Sequence, residues 1–225
     1  MNISTMHIGV KQELDKTSAL ELPSFEPEEI DFWLINAIKK FVKTRYSGTN
    51  IKGESFEQTQ KRTDDLRTII VHSKYIAQTY TGDYPHGVVF SLPSDYWFAL
   101  QEEAGISVEG TLSRVGITEC TVDEYRQKID DPFSEHLLHY GSAKPLRIFN
   151  DDQVELIGDG TAYTIPSYYL TYLKEPAEVS LSGLIDCDLP EHTHDEIVKM
   201  AANMMLENIE QPRYKTHMGE VVTME

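Results

Sequence analysis

The chain has little that would staple, anchor or export it. Of its 225 residues only Cys120 and Cys187 are cysteines, which excludes a disulfide framework as the organising principle and leaves two buried, reduced thiols as the simpler expectation. No apolar run approaches the roughly 20 residues that a helix needs to cross a bilayer, so no membrane role is expected. The first fifteen residues have no basic start, apolar middle and small-residue cleavage site, so cytoplasmic synthesis is expected. A Gly-x-Ser-x-Gly elbow, a Walker loop and a dinucleotide fingerprint are all missing, and with them the common hydrolase, NTPase and dehydrogenase signatures. Internal repeats, low-complexity tracts and Pro/Gly linkers are also lacking. A single domain over residues 1–225 is the resulting expectation.

What is present is an ordinary soluble composition, 40% hydrophobic and 25% charged, with a pronounced negative balance of −17. The charge is uneven. Lys39, Lys40, Lys43, Arg45, Lys52, Lys61, Arg62, Arg67 and Lys74 face only four acids between residues 39 and 74, a local excess of about +5 that leaves roughly −22 on the remainder. Such a segment is either a solvated helix face or a patch for an acidic neighbour or nucleic acid. An acidic body opposes tight DNA binding, yet it suits a passage through which phosphates slide without sticking.

Helical patterning opens and closes the chain. Residues 1–22 are mixed, with Ile8, Val10, Leu14 and Leu20 suggesting a short helix or an arm that orders on a partner. Pro27 suits a first helical position, Glu28 and Glu29 suit the positive end of the helix dipole, and Lys43 and Arg45 the negative end, which predicts a helix over 27–46. Ile30, Leu34, Ala37, Ile38 and Phe41 form its core stripe. Phe32, Trp33 and Ile35 widen that stripe beyond one packed face, implying either a second contact surface or burial on two sides. Ser55 and Gln58 have capping-box spacing before a helix reaching about Thr68, so the helical part spans 27–70. Near the C-terminus Thr193 and Glu196 have the same spacing, and Ile197, Ala201, Met204, Met205 and Ile209 recur at helical intervals until Pro212, giving a helix over 192–211 and a tail over 213–225.

Between these lies a β-rich insertion over 87–181. Residues 87–92 and 111–122 read as strands, 123–130 as one or two helical turns, and 131–141 as a loop. Residues 146–149, 154–157 and 163–173 form a meander with turns at 150–152 and 158–160. In the last strand Tyr168, Leu170 and Tyr172 alternate with Tyr169, Thr171 and Leu173, so it is covered on both faces or meets a neighbour. Pro166 within it marks an edge or a bulge. The fold class is therefore α+β: N- and C-terminal helices framing an inserted, mostly antiparallel β-sheet.

His192, His194 and Asp195 beside Asp186 and Asp188 have the residue types of a zinc site, but side chains flanking Thr193 diverge once a helix begins, and dressing of a helix start explains them as well. His136 and His139, and Asp83 with His86, fall in loops with no visible partner for acid–base work. Cys120 has no basic neighbour to activate it. No catalytic residue, cofactor or metal ligand is assigned. The alternatives are a small metal-dependent enzyme using His192 and His194, and a monomeric binding module using the 39–74 segment.

Three segments carry a resemblance: residues 31–48 with 54–67, residues 154–177, and residues 187–214, the last containing Leu-Pro-Glu-His-Thr-His-Asp-Glu-Ile-Val-Lys-Met. Together with a Leu-Pro-Ser-Asp-aromatic step at 92–96 they resemble the head–tail connector, ring or tail-adaptor, proteins of tailed bacteriophages, particularly the crAss-like phages. The resemblance implies a virion structural protein with no enzymatic residues, assembling as a homo-oligomer of twelve copies. Its partners would be itself, the portal protein and adjacent tail or ring proteins, with genomic DNA passing through the lumen. A ring joins two different faces of each copy. The interface candidates are Phe32, Trp33, Ile35, Lys39, Lys40, Lys43, Arg62, Tyr168, Tyr169 and Tyr172, with lysines set against acids of the next copy for register.

Overall fold

The computed structural model describes residues 1–17, 25–46, 60–139 and 142–208. They fall into two compact units, one from the described residues up to 69 together with 176–208 and one from those of 70–175. The first is helical. Helix α2 (Pro27–Tyr46) begins and ends where its charges predict, and Ile30, Leu34, Ala37, Ile38, Phe41 and Val42 are buried along one stripe. The backbone N–H of Glu26 donates to the Glu29 carboxylate, closing its first turn,. Helix α5 (His194–Asn208) packs against both α2 and α1 (Ile3–Thr17).

Helix α1 buries Ile3, Met6, Val10 and Leu14, whereas Ile8 is 57% exposed. The buried set follows the i, i+3, i+4 rule once Met6 is counted as its second member. Asn2 accepts the Thr5 backbone N–H at 2.9 Å, a helix start signal that sequence reading passed over,. Gly9 lets α1 approach α5, since a Cβ there would stand 3.1 Å from Val198. Helix α3 (Gln60–Leu66) and a 3-10 turn (Arg67–Ile69) complete the described N-terminal part. The Ser55–Gln58 cap, Ile209 and the tail over 213–225 lie outside the described residues.

The second unit is two sheets with one shared core. Strands β1 (Ile70–Ala77), β4 (Tyr96–Val108), β5 (Thr111–Gly116) and β9 (Thr164–Lys174) pair in the order β1-β9-β4-β5. Strands β2 (Tyr80–Thr81), β3 (Gly87–Ser91), β6 (Thr118–Glu119), β7 (Leu146–Asn150) and β8 (Gln153–Ile157) pair in the order β2-β3-β8-β7-β6. Every pairing is antiparallel except β6 with β7. Ala104, Ile106, Tyr168, Leu170 and Tyr172 of the first sheet meet Phe90, Val154 and Leu156 of the second, as inner faces of stacked sheets do. Behind the second sheet, helix α4 (Tyr125–Asp130) covers Leu146, Ile148, Ile157 and Cys120. The α+β class therefore stands, with helices at both ends of the chain.

Several details differ from the sequence reading: the long strand β4 has no counterpart in it, residues 111–122 hold the short strands β5 and β6 rather than one strand, and the C-terminal helix starts at His194 rather than 192. Strands begin at Ile70 rather than at 87. The expected meander is a β7–β8 hairpin followed by a crossing, since β9 pairs with β1 and β4 in the other sheet. The crossing uses the predicted turn, where Gly160 holds φ of 79° against the His86 ring. Pro166 coincides with a register irregularity between β4 and β9 and lies just past the last β1 pairing, so the missing N–H interrupts no ladder there,.

Candidate assembly surface

Helix α2 has an outer face that its own unit does not cover. Phe32 is 58% exposed and meets the half-buried Trp33 edge-on, with ring centroids 5.3 Å apart. Ile35 is also half-buried. Residues 33, 36, 40, 43 and 44 follow helical spacing, which aligns Trp33, Asn36, Lys40, Lys43 and Thr44 on one side. With Lys39 and with Met204 of α5 they line an open groove that has an apolar floor and a cationic rim. Lys39 leans toward Glu178 at 3.7 Å, a long exposed pair of little energetic weight,. The side chain of Arg62 lies outside the described residues.

The face is rigidly backed. Arg45, 2% exposed, donates from Nε to Asp65 at 3.0 Å and from Nη2 to Glu196 at 2.6 Å, tying α2 to α3 and α5. His192 bonds the second Asp65 oxygen at 2.9 Å. Burial pushes the Glu196 carboxyl up, with the Arg45 guanidinium opposing that shift. At the other end of α2, Asp31 bonds the buried His7 ring at 2.7 Å and accepts the Leu181 backbone N–H. Asp186 accepts the Ile3 N–H at 2.7 Å, at the start of α1.

These bonds account for four of the five residues that sequence raised as metal ligands; the fifth, Asp195, is exposed in the first turn of α5. His192 serves Asp65, His194 bonds the Leu189 carbonyl at 2.9 Å, Asp186 holds α1, and Asp188 accepts the Ala177 N–H. Among the described residues no three His, Cys, Asp or Glu side chains come together as a metal cluster. The expected Thr193–Glu196 box does not form. Thr193 donates to the Pro190 carbonyl and Glu196 is held by Arg45, a tertiary demand that overrides local spacing.

The three tyrosines of β9 divide. Tyr168 and Tyr172 are 0% exposed inside the core between the sheets, so they leave the set of interface candidates. Their hydroxyls donate to Glu102 and Asp95. One face of β9 lies on the core against the second sheet, and the other carries aromatic and cationic neighbours from β1 and β5. Tyr169 points to that other face, edge-on to Tyr75 at 5.7 Å, with the Arg114 guanidinium 3.6 Å above its ring,.

The loop groups have structural partners. His136 is buried against the Ser134 hydroxyl, its pKa pushed down by burial, and its carbonyl accepts the Tyr163 hydroxyl. His139 bridges to Ser142 through the backbone. Asp83 is exposed in the turn after β2, and His86 packs on Gly160. Burial raises the pKa of both cysteine thiols, which keeps them protonated and poorly nucleophilic at neutral pH. Sequence reading missed Glu155, which is 1% exposed and lies where a Cβ on Gly82 or Gly87 would stand 1.9 Å from its Oε1. A single acid inside an apolar strand carries no periodicity to reveal it.

An exposed Phe32 braced on a half-buried Trp33 and rimmed by lysines is the kind of patch that marks a subunit packing against other chains,. The family comparison gives that class its name: the model for phage tail ring protein 3/4 matches residues 1–216. The chain belongs to this family of crAss-like phage tail ring proteins. It is a structural component of the virion that oligomerises with other tail components. A comparison with curated proteins found no match. No helix among the described residues is long and apolar enough to cross a membrane.

Proposed function

We propose that this chain closes into a homo-oligomeric ring of twelve copies in the head–tail connector, joining portal and capsid to tail, with the genome passing through its lumen. The observation that carries the reading is Phe32, 58% exposed and braced on Trp33, on a helix whose opposite face is buried. Within the family, an aromatic pair left open by one copy suits coverage by the next. The net charge of −17 supports a lumen that repels phosphates and lets DNA slide,. A lone subunit in solution is compatible with this reading, because assembly can wait for the portal.

Imaging particles, or the chain mixed with its portal, tests it. Phe32→Asp should leave the melting temperature of the chain unchanged while rings are lost from the particles. Rings that form normally with Phe32→Asp, or particles in which the chain has no sister copy beside it, would overturn the proposal.

A further inference from the structure

We propose that the groove beside Trp33 receives a particular part of the next copy: the knob formed by Asp130, Asp131, Pro132 and Phe133. This rests on the ring reading above and names the two faces that meet. Phe133 is 86% exposed, the most exposed large apolar side chain among the described residues. It is also held in place. Its backbone N–H donates to the Asp131 side chain at 2.9 Å, the Ser134 N–H donates to the Asp131 carbonyl at 3.1 Å, and Pro132 fixes the intervening φ,. With the backbone that presents the ring already fixed, docking spares the cost of ordering the loop, which is what an interface anchor needs.

The chemistry of knob and groove is complementary point by point. Phe133 offers a ring, and the groove offers Trp33 and Met204 as an apolar floor. Asp130 and Asp131 flank the ring with negative charge, and Lys39, Lys40 and Lys43 rim the floor with positive charge. Groove and knob are different surfaces of the same sequence, so their pairing is heterologous and propagates from copy to copy, as ring closure requires. The charges set register and orientation, and the ring supplies most of the binding energy.

The test uses the full chain, concentrated alone and mixed with its portal, with ring formation followed by sedimentation and imaging. Phe133→Ala should leave melting unchanged and weaken self-association at least tenfold, and Phe133→Leu should recover part of the loss. Lys40→Glu with Lys43→Glu should also disrupt rings, and adding Asp130→Lys to that variant should restore them. Wild-type rings that persist with Phe133→Ala overturn the contact but leave the ring reading intact, including the case in which only a neighbouring tail protein is lost. A charge-swapped chain that melts normally yet stays unassembled overturns the pairing of knob and groove. Failure of the wild-type chain to form rings even in particles overturns both inferences.

Discussion

The two units each bury an arginine, and they do so differently. In the helical unit Arg45 bonds Asp65 and Glu196, so α2, the nearby α3 and the far α5 share one guanidinium. In the sheet unit Arg147 pairs with Glu102, which also accepts the Tyr168 hydroxyl, and with Glu119, which is largely exposed, while its Nε has no hydrogen-bond partner among the described residues. The first network is closed and central. The second is open at one side and surrounded by an aromatic core that holds the sheets together without it. Breaking a buried pair strands a charge, and the penalty scales with how completely water is excluded from the partner left behind.

The comparison predicts unequal losses. Arg45→Met should cost about 3–5 kcal/mol in chemical denaturation at neutral pH, because Asp65 and Glu196 are left as facing buried acids. That loss should shrink on acidification as protonation removes the stranded charges. Arg147→Met should cost less, about 2 kcal/mol, since Glu119 is already largely in water and Glu102 keeps the Tyr168 hydroxyl,. Equal losses would show that the open side of the second network is sealed in solution.

A pH series sharpens the same contrast. Burial pushes the Glu155 carboxyl of the sheet unit up, only partly offset by the Tyr84 and Asp83 backbone N–H groups. An acid whose folded pKa lies above its unfolded value contributes stability that is complete below the unfolded value and is lost as pH rises through the folded one. Glu155→Gln should therefore flatten the decline in melting temperature on going from acid to neutral pH, an effect on the order of 1 kcal/mol. A steeper decline in the variant would mean that ionised Glu155 is a net stabiliser. The smallest expected change is in the stability of the single chain with Phe32→Ser, within about 0.5 kcal/mol by melting, because the ring is already largely in water.

Much of the helical framework was legible because its signals are local. Pro27, Glu28, Glu29 and the stripe from Ile30 to Phe41 bound and orient α2 without reference to any other element. Trp33 and Phe32 were legible as excess, being more apolar width than one face uses. The tyrosines of β9 were not, since alternation says that both faces are covered and not by what. Only the packing of the second sheet onto one face of β9 assigns Tyr168 and Tyr172 to the core and leaves Tyr169 on the opposite face. Glu196 teaches the same lesson, its capping distance being local while its actual partner, Arg45, lies 151 residues away.

Ring assembly as proposed requires that Trp33 be covered by a sister copy. A reconstruction of the assembled connector at side-chain resolution should place density from a second copy of this chain over the Phe32–Trp33 edge and the lysine rim. If that edge instead faces solvent in every copy of the assembled particle, the central claim is wrong.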